Sequence, residues 1–486
     1  MKKYLSGLLV IILLLHSFIS ISQSNTPTVT IANWQGNKNA ALCVTLDDGC
    51  EQQFTVAKQT MDSLGIKGTF FIITDLDYNC DGGPNSSPPM AIYNGKGSPQ
   101  YWGNLQDAIN TGHEIAAHTV HHPDLDTVFK YYYIDSVAKE IYMSKAALES
   151  ELYAAGQSNT PYKVLTFAYP YGSGQSNTTI IDTIQKYFIA ARGAGTATYT
   201  HTWDIYDDAK NQTAEGFINY YYQVESYACT DTLDINWFND MLDSTITYSG
   251  WFNAMYHNID GSSLENDEYS VSSNNFRAQL KAIIAKQDKL WIAPFKDVVR
   301  YSKENVSAKV NVKSCKSDST VISLTDTIKS TDFNVPLTLI VSNFSCTCSL
   351  DSIKQAGNFL TFTTPTTTQI MFNAVPNAGD ITIYTGTSNV TALVAPSIDD
   401  YFELYQNIPN PSSSTTAISY NLKQGGAVTL ELFDMNGTTA KTLVSEEQTA
   451  GKYCFSVNTE SFQAGIYFYR LTSGNAFDVK KMVVIR

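Results

Sequence analysis

The sequence predicts an α/β module, with strands and helices alternating to form a parallel sheet or barrel, followed by two small all-β sandwiches. Three observations predict this order. Short apolar runs alternate with longer helical stretches over residues 36–302. Thr, Ser and Val with period-two alternation dominate residues 303–394, and a second group of short strands fills residues 405–486. Residues 395–404 are the predicted linker between the sandwiches.

The first module has the order of strand, helix and strand that parallel strands with right-handed crossovers require. Its predicted strands are residues 40–46, 68–73, 114–117, 164–168 and 251–256, and its predicted helices are residues 52–64, 105–110 and 134–153. Strands of the first sandwich are predicted at 306–312 and 336–342, and those of the second at 427–433, 451–457, 465–471 and 477–485. Short strands with polar turns and few helices are typical of antiparallel sandwiches.

Composition and the amino terminus indicate an exported protein. The chain has 486 residues, 43% of them hydrophobic, and a formal charge of −14 without a Lys/Arg run, which argues against nucleic-acid or anionic-membrane partners. Lys2 and Lys3 precede an apolar stretch, and residues 1–22 have the layout of a cleavable signal peptide. An uncleaved anchor is the alternative. No other segment approaches the about 18 apolar residues of a membrane span, so we expect no integral membrane segment after signal removal.

Histidine-dependent chemistry is confined to the first module, because no histidine follows His257. Asp47, Asp48 and Gly49 end a predicted strand, where active sites of parallel α/β folds lie. In isolation the tripeptide is also an ordinary turn. His118 and His122 are four residues apart, a spacing that aims both rings at one point in a helical turn or tight loop. Two imidazoles and a carboxylate suit a catalytic metal, although a solvated or capping loop would also explain the pair.

Together these clusters resemble a known family, the polysaccharide deacetylases of carbohydrate esterase family 4, which carry the NodB-homology domain. The resemblance covers residues 38–302 and implies a distorted (β/α) barrel. The family's motifs are similar to Thr-Leu-Asp-Asp-Gly at 45–49, His-Thr-Val-His-His-Pro at 118–123, Phe-Ala-Tyr-Pro-Tyr-Gly at 167–172 and Met-Tyr-His at 255–257.

The resemblance implies a role for each site residue. Asp48, His118 and His122 would hold a divalent metal, with zinc the first expectation and cobalt, nickel or manganese as alternatives. Asp47 would be the base and His257 the acid that protonates the leaving amine. The backbone N–H of Tyr171 would stabilise the oxyanion.

Two features depart from the family pattern. Many members carry an arginine that orients the base where this chain has Ala168, and Arg192 is the candidate replacement; a surface arginine at a strand end is the alternative. The Asp and Trp of the fourth motif are unclear, with the pair at 203–204 and Trp251 as candidates. Loop aromatics that could stack on sugars are Tyr78, Tyr101, Trp102, Tyr169, Tyr171 and Trp203, whereas we expect Tyr131, Tyr132 and Tyr133 to pack against a helix.

The last segment resembles the type A sorting domain of the type IX secretion system. Asn-Ile-Pro-Asn-Pro at 407–411, Ala-Gly-Ile-Tyr-Phe-Tyr-Arg at 464–470 and the terminal Lys-Lys-Met-Val-Val-Ile-Arg carry this resemblance. It implies passage across the outer membrane, with the secretion machinery as a partner and the cell surface or the medium as the destination. An ordinary carbohydrate-binding sandwich is the alternative.

The sequence therefore predicts a secreted, metal-dependent hydrolase that removes N-acetyl or O-acetyl groups from an acetylated polysaccharide. A non-catalytic glycan-binding or adhesion protein on the same scaffold is one alternative. A metal-dependent hydrolase of a non-glycan amide is another. An iron oxygenase shares the ligand types but has no need of a second carboxylate and a distal acid histidine.

Overall fold

The computed structural model describes residues 27–74, 99–194, 221–260, 270–316, 318–344, 350–366, 368–385, 402–433, 439–460, 462–473 and 476–485. The predicted signal peptide and most of the predicted linker lie outside the described residues. The chain divides into two compact units, Met1–Ser388 and Asn389–Arg486, which are described separately.

A curled parallel sheet forms the half-barrel at the centre of the first unit. After strand β1 (Thr28–Ile31), which belongs to another sheet, its strands are β2 (Ala40–Asp48), β3 (Thr69–Ile72), β4 (Glu114–Ala117), β5 (Thr166–Ala168), β6 (Ala190–Arg192), β7 (Tyr227–Ala228), β8 (Trp251–Tyr256) and β9 (Leu290–Ile292). Their order is β6-β5-β4-β3-β2-β8-β7, and β9 pairs with the first residues of β2. All nine residues of β2 are buried. The predicted α/β fold with a distorted barrel is confirmed.

Helices connect the parallel strands. They are α1 (Lys58–Ser63), α2 (Pro99–Asn110), α3 (Leu125–Glu151), α4 (Thr178–Ile184), α5 (Ile235–Thr247), α6 (Ser273–Ile284) and α7 (Phe295–Ser307). A π-helical turn, Gln53–Ala57, precedes α1. Helix α3 begins earlier than predicted because Asp124 caps it by accepting the N–H of Thr127, and it contains a break at Tyr133, where φ is +64°.

The first sandwich has two antiparallel sheets. Its strands are β10 (Lys309–Cys315), β11 (Ser319–Thr325), β12 (Leu337–Ser342), β13 (Leu350–Gln355), β14 (Asn358–Phe359), β15 (Phe362–Thr366), β16 (Gln369–Ala374) and β17 (Ile381–Thr385). One sheet has the order β1-β12-β16-β15 and the other β10-β11-β17-β13-β14. The strand predicted from residue 306 begins at Lys309 because α7 continues to Ser307.

The half-barrel and this sandwich share one compact unit, joined by buried polar contacts. Tyr301 on α7 donates its hydroxyl to the carbonyl of Ala32 at 2.9 Å and accepts the N–H of Thr338 at 3.3 Å. Strand β1, which precedes the half-barrel in the chain, completes a sheet of the sandwich. The predicted boundary at residues 302 and 303 remains a prediction.

The second unit is a small sandwich, as predicted. Its strands are β18 (Phe402–Leu404), β19 (Thr415–Leu422), β20 (Gly426–Phe433), β21 (Thr439–Gln448), β22 (Gly451–Asn458), β23 (Gly465–Ser473) and β24 (Ala476–Val484). The sheets have the orders β18-β19-β22 and β21-β20-β23-β24. Tyr469 is buried in the core between them and accepts the N–H of Asn407 at 2.8 Å.

Within the described residues, no helix combines the length and the apolar character that a membrane crossing requires.

Candidate metal centre and active site

Three potential metal ligands converge at the carboxyl edge of the half-barrel. Asp48 is the last residue of β2, His118 directly follows β4, and His122 lies four residues further on. The Nε2 atoms of the two histidines are 3.1 Å apart and lie 3.4 Å (His118) and 3.5 Å (His122) from Asp48 Oδ1. All three residues are buried.

Left-handed backbone conformations aim these side chains inward. Positive φ angles occur at Asp48 (+78°), Thr119 (+66°) and His122 (+55°). Each costs a non-glycine residue on the order of 1–3 kcal/mol and persists where the surroundings enforce it. Thr119 contributes by accepting the N–H of His122 on its hydroxyl at 3.0 Å. The histidine pair therefore lies in a tight loop, one of the two geometries expected from its spacing.

A backbone carbonyl orients His118. Its Nδ1 lies 2.9 Å from the carbonyl oxygen of Ala168, so Nδ1–H donates there and Nε2 keeps its lone pair for a ligand. Ala168 ends β5, the neighbour of β4. The residue at which the family pattern has an arginine thus contributes its backbone to the site.

The cluster fits a small divalent ion. Ligand atoms bonded tetrahedrally to a metal at about 2.0–2.2 Å are about 3.3–3.6 Å apart, close to the separations observed here. Asp48 Oδ1 is buried and has no hydrogen-bond partner among the residues that the structure describes, although it faces both Nε2 atoms. Two imidazole lone pairs and a carboxylate oxygen directed at one point repel one another unless a cation lies between them.

Protonation states agree with this reading. Burial lowers the pKa of His122 to about 4, against the opposing charge of Asp48, so the ring is neutral near pH 7. Burial alone would raise the pKa of Asp48, but its electrostatic interactions with His118, His122 and His257 hold that pKa well below its usual range. Neutral imidazoles and an ionised carboxylate are the forms that bind metals.

Asp47 forms a buried ion pair with Arg192. Arg192 ends β6, four places from β2 in the sheet order, and the curl of the sheet brings its Nη2 to Asp47 Oδ1. The guanidinium is fully buried and lies 4.7 Å from the centre of the Phe71 ring. Ser226 accepts from Nη1 at 3.2 Å. Arg192 is thus a buried contact of Asp47, and the alternative of a surface arginine is wrong.

Gln53 links the ends of the two strands that carry the predicted base and acid. Its Nε2 donates to the backbone carbonyls of Asp47 and, at 2.9 Å, of His257. Tyr256 pairs with Leu46, so His257 emerges at the same edge as Asp47. Gln53 is fully buried in the π-helical turn after β2. Sequence reasoning missed this residue.

Tyr171 lies beside the cluster of Asp48, His118 and His122, on the side that faces solvent. Its ring lies edge-on to that of His122, with the ring centres 4.6 Å apart, and the residue is 53% exposed. Its φ of +56° places it in the turn after β5. The predicted oxyanion donor therefore lies beside the ligands.

Glu140 on α3 holds the loop between the two histidine ligands, and sequence reasoning missed it too. Its Oε2 accepts the N–H groups of Val120 at 3.0 Å and His121 at 2.9 Å, and its Oε1 lies 2.6 Å from His121 Nδ1. A glutamate about four turns into the helix gives no sequence signal for such a contact.

Two expectations about aromatic residues are wrong. Trp251 begins β8 and is buried in the core, about 20 Å along the strand from His257, too far to tune that histidine. Tyr131, Tyr132 and Tyr133 are exposed and do not pack against a helix. Among the proposed sugar contacts, Tyr169 is buried, while Tyr78 and the pair at 203–204 lie outside the described residues.

Comparison with protein families now identifies two parts of the chain. A parallel half-barrel with an Asp-His-His cluster at its carboxyl edge is the architecture expected of the resemblance described above. Residues 35–192 match the polysaccharide deacetylase family, and residues 407–485 match the secretion system C-terminal sorting domain. The chain therefore carries a polysaccharide deacetylase domain and a C-terminal sorting domain. The sorting domain indicates type IX secretion to the cell surface or beyond.

Individual proteins are more distantly similar. A gellan lyase from Bacillus sp is 26% identical over 374 residues, which are 73% of this chain; the chain spans 13% of that protein's length. A Streptococcus pyogenes deacetylase in complex with acetate is 22% identical, covering 32% of this chain and 55% of that one, with a TM-score of 0.22. A putative polysaccharide deacetylase from Mycobacterium smegmatis is 14% identical, covering 57% and 94%, with a TM-score of 0.33.

Proposed function

We propose that this protein is an exported, metal-dependent deacetylase that hydrolyses N-acetyl or O-acetyl groups of a glycan and releases acetate. The observation that carries the proposal is the Asp48, His118 and His122 cluster beside the buried Asp47–Arg192 pair in a deacetylase domain. Glycan binding alone needs no such set of buried groups.

Each residue has a role in the proposed hydrolysis. Asp48, His118 and His122 hold the ion, zinc being the first candidate with this ligand set and cobalt, nickel or manganese the others. When bound, the ion supplies Lewis acidity and lowers the pKa of a coordinated water.

Asp47 accepts the proton of the attacking water, and Arg192 orients its carboxylate through the buried ion pair. His257, across the edge from Asp47, donates a proton to the leaving amine or alcohol as the bond to the acetyl carbon breaks. The N–H of Tyr171 stabilises the oxyanion. Arg192 thus takes the part that the family pattern gives to an arginine at position 168.

The proposal extends to the whole chain. Residues 1–22 are the signal peptide, 36–302 the catalytic domain, 303–394 an accessory sandwich, 395–404 a linker and 405–486 the sorting domain. Its partners are an acetylated polysaccharide and the type IX secretion machinery.

Acetate release from a panel of acetylated glycans tests the proposal. The metal-loaded protein should release acetate from one class, and Asp48→Ala should lose at least about 100-fold in rate, because the ion loses a ligand. Asp243→Ala, which removes an exposed carboxylate of α5 that pairs with Lys286, is the matched control and should keep its activity. No release from any glycan by protein with bound metal would contradict the proposal and favour a non-glycan amide or a binding role.

A further inference from the structure

Three consecutive tyrosines on α3 have most of their surface in solvent. Tyr131, Tyr132 and Tyr133 are 62%, 67% and 75% exposed. Soluble proteins rarely leave a contiguous apolar patch uncovered unless it binds something. The phenol rings are rigid and amphipathic, and aromatic side chains of this kind offer large contact area at low entropic cost.

The backbone at this patch is distorted. Tyr133 has φ +64° and ψ 177° inside α3, a conformation that is costly for an aromatic residue. Three successive residues of a regular helix point 100° apart and cannot share one face. The break at Tyr133 interrupts the regular 100° spacing between successive side chains, and all three rings are exposed.

The patch lies at the same edge of the half-barrel as the metal cluster. Helix α3 begins just after the loop that carries His118 and His122 at the carboxyl edge of β4. Its first turn is bonded to the loop after Tyr171, since Asp126 accepts the N–H of Gly174 at 2.8 Å and Ser173 donates to Asp124 at 2.9 Å.

A second contact fixes the patch relative to the ligands. Glu140, which holds the loop between the two histidines, follows Tyr133 by seven residues, or about 10 Å of helix. The tyrosines therefore lie on α3 about two turns closer to its amino terminus than Glu140, the residue that holds the loop between the two histidines. Tyr171 lies beside His122, and the turn after it is bonded to the first turn of α3, the helix that carries the three tyrosines.

We propose that Tyr131, Tyr132 and Tyr133 form a platform that binds the polysaccharide substrate beyond the unit being deacetylated. The choice of a glycan rests on the proposed function, because a polymer deacetylated at an internal unit must cross the rim of the site. Sugar rings offer C–H faces for stacking and hydroxyls for the phenol oxygens. Ile134, which follows the tyrosines, packs partly against the core, and Lys130, Asp135 and Ser136 are polar, unlike the apolar surroundings of a typical protein-binding core.

Two triple variants of the full-length, metal-loaded protein test this platform. The disrupting variant is Tyr131→Ser, Tyr132→Ser and Tyr133→Asn, since asparagine tolerates a positive φ. The conservative variant changes all three to Phe and keeps the rings. Tyr248→Ala is the matched control, because Tyr248 is also 67% exposed but lies just before β8, at the opposite edge of the sheet.

Cosedimentation with insoluble chitin, peptidoglycan and acetylated xylan measures binding. We expect the disrupting variant to bind the preferred polymer about tenfold more weakly than wild type, the Phe variant within about threefold, and the control unchanged. The ratio of kcat/KM on that polymer to kcat/KM on a short oligosaccharide of the same sugar should fall by a similar factor.

Equal binding and an equal ratio for wild type and the disrupting variant would overturn the platform, even with full deacetylase activity. Weaker binding of the disrupting variant to all three polymers and to an unrelated protein resin would also overturn it, as general stickiness. If wild type releases no acetate, the proposed function fails, while cosedimentation still decides whether the tyrosines bind glycan.

Discussion

Glu140 acts on the site through backbone groups. Its carboxylate takes two N–H groups and the imidazole of His121, all from the segment between the ligands His118 and His122. Hydrogen bonds to an ionised acceptor are about twice as strong as neutral ones. A positioning residue of this kind fixes where the two imidazoles stand before any ion arrives.

Replacing Glu140 should weaken metal binding. We expect Glu140→Ala to lower metal affinity by about 10–100-fold, the range for residues that orient ligands. Glu140→Gln, which keeps one acceptor oxygen, should lose less. Calorimetric titration of the metal-free protein measures the affinity, with Glu151→Gln at the exposed end of α3 as the control. Unchanged affinity with lowered thermal stability would mean that Glu140 supports the fold alone.

At this scale the sequence predicted residues that sit in contiguous motifs. Asp47, Asp48, His118 and His122 could be found because each pair is adjacent or four apart. Gln53 and Glu140 could not, since their partners are backbone groups set by tertiary folding. Arg192 was a candidate, but only the curl of the sheet brings strands four places apart into contact.

Helix α7 carries a buried acid at the junction with the first sandwich. Glu304 is fully buried and accepts the N–H of Val335 on Oε2 at 2.8 Å, while Oε1 has no hydrogen-bond partner within the described part of the chain. Burial is the main cause that raises its pKa to about 7, and the nearby Asp326 adds to the effect. The folded protein therefore binds a proton more tightly at this position than the unfolded chain does.

Stability of the first unit should fall as pH rises. A raised carboxyl pKa contributes stability that is fully present below the unfolded pKa of about 4.5 and is lost through about pH 7, a change on the order of 2–3 kcal/mol. Glu304→Gln should flatten the unfolding free energy between pH 5 and 8. Urea unfolding at several pH values, followed by tryptophan fluorescence, measures this. The same pH slope in wild type and variant would contradict the assignment.

The sequence predicted the ends of an element correctly where a single hydrophobic pattern runs along the whole element. Strands β4 and β8 begin and end where expected, because each is a short apolar run between polar residues. Helix α3 was predicted too short at its start, since the exposed tyrosines gave no helical face. Strand β1 could not be assigned to a sandwich, because its partner β12 comes after the whole half-barrel.

Buried contacts join the half-barrel and the first sandwich into one unit. Tryptophan fluorescence can report on this unit selectively. All six tryptophans precede residue 389, so the sorting unit contributes none. Tyr301 bridges half-barrel and sandwich through Ala32 and Thr338. We therefore expect one cooperative urea transition in tryptophan fluorescence.

Removing the Tyr301 hydroxyl should shift that whole transition. Tyr301→Phe leaves the buried N–H of Thr338 without its acceptor, which costs about 1–3 kcal/mol. Fluorescence and far-ultraviolet circular dichroism should report the same midpoint shift for the first unit, and Tyr132→Phe, which removes an exposed hydroxyl on α3, should show none. Two fluorescence transitions, of which only one moves, would contradict a single cooperative body.

The pairing of β1 also sets an order of events for a newly made chain. Gly36, just after β1, donates to Thr338, 302 residues further along. The chain is synthesised and exported from its amino end. Strand β1 therefore stays without its partner β12 until nearly the entire unit has emerged. Such distant pairings slow folding, and a waiting strand offers an unpaired edge to other chains. We therefore expect this protein to be most prone to aggregation while it is being synthesised and exported, before β1 has paired, rather than after the half-barrel has formed.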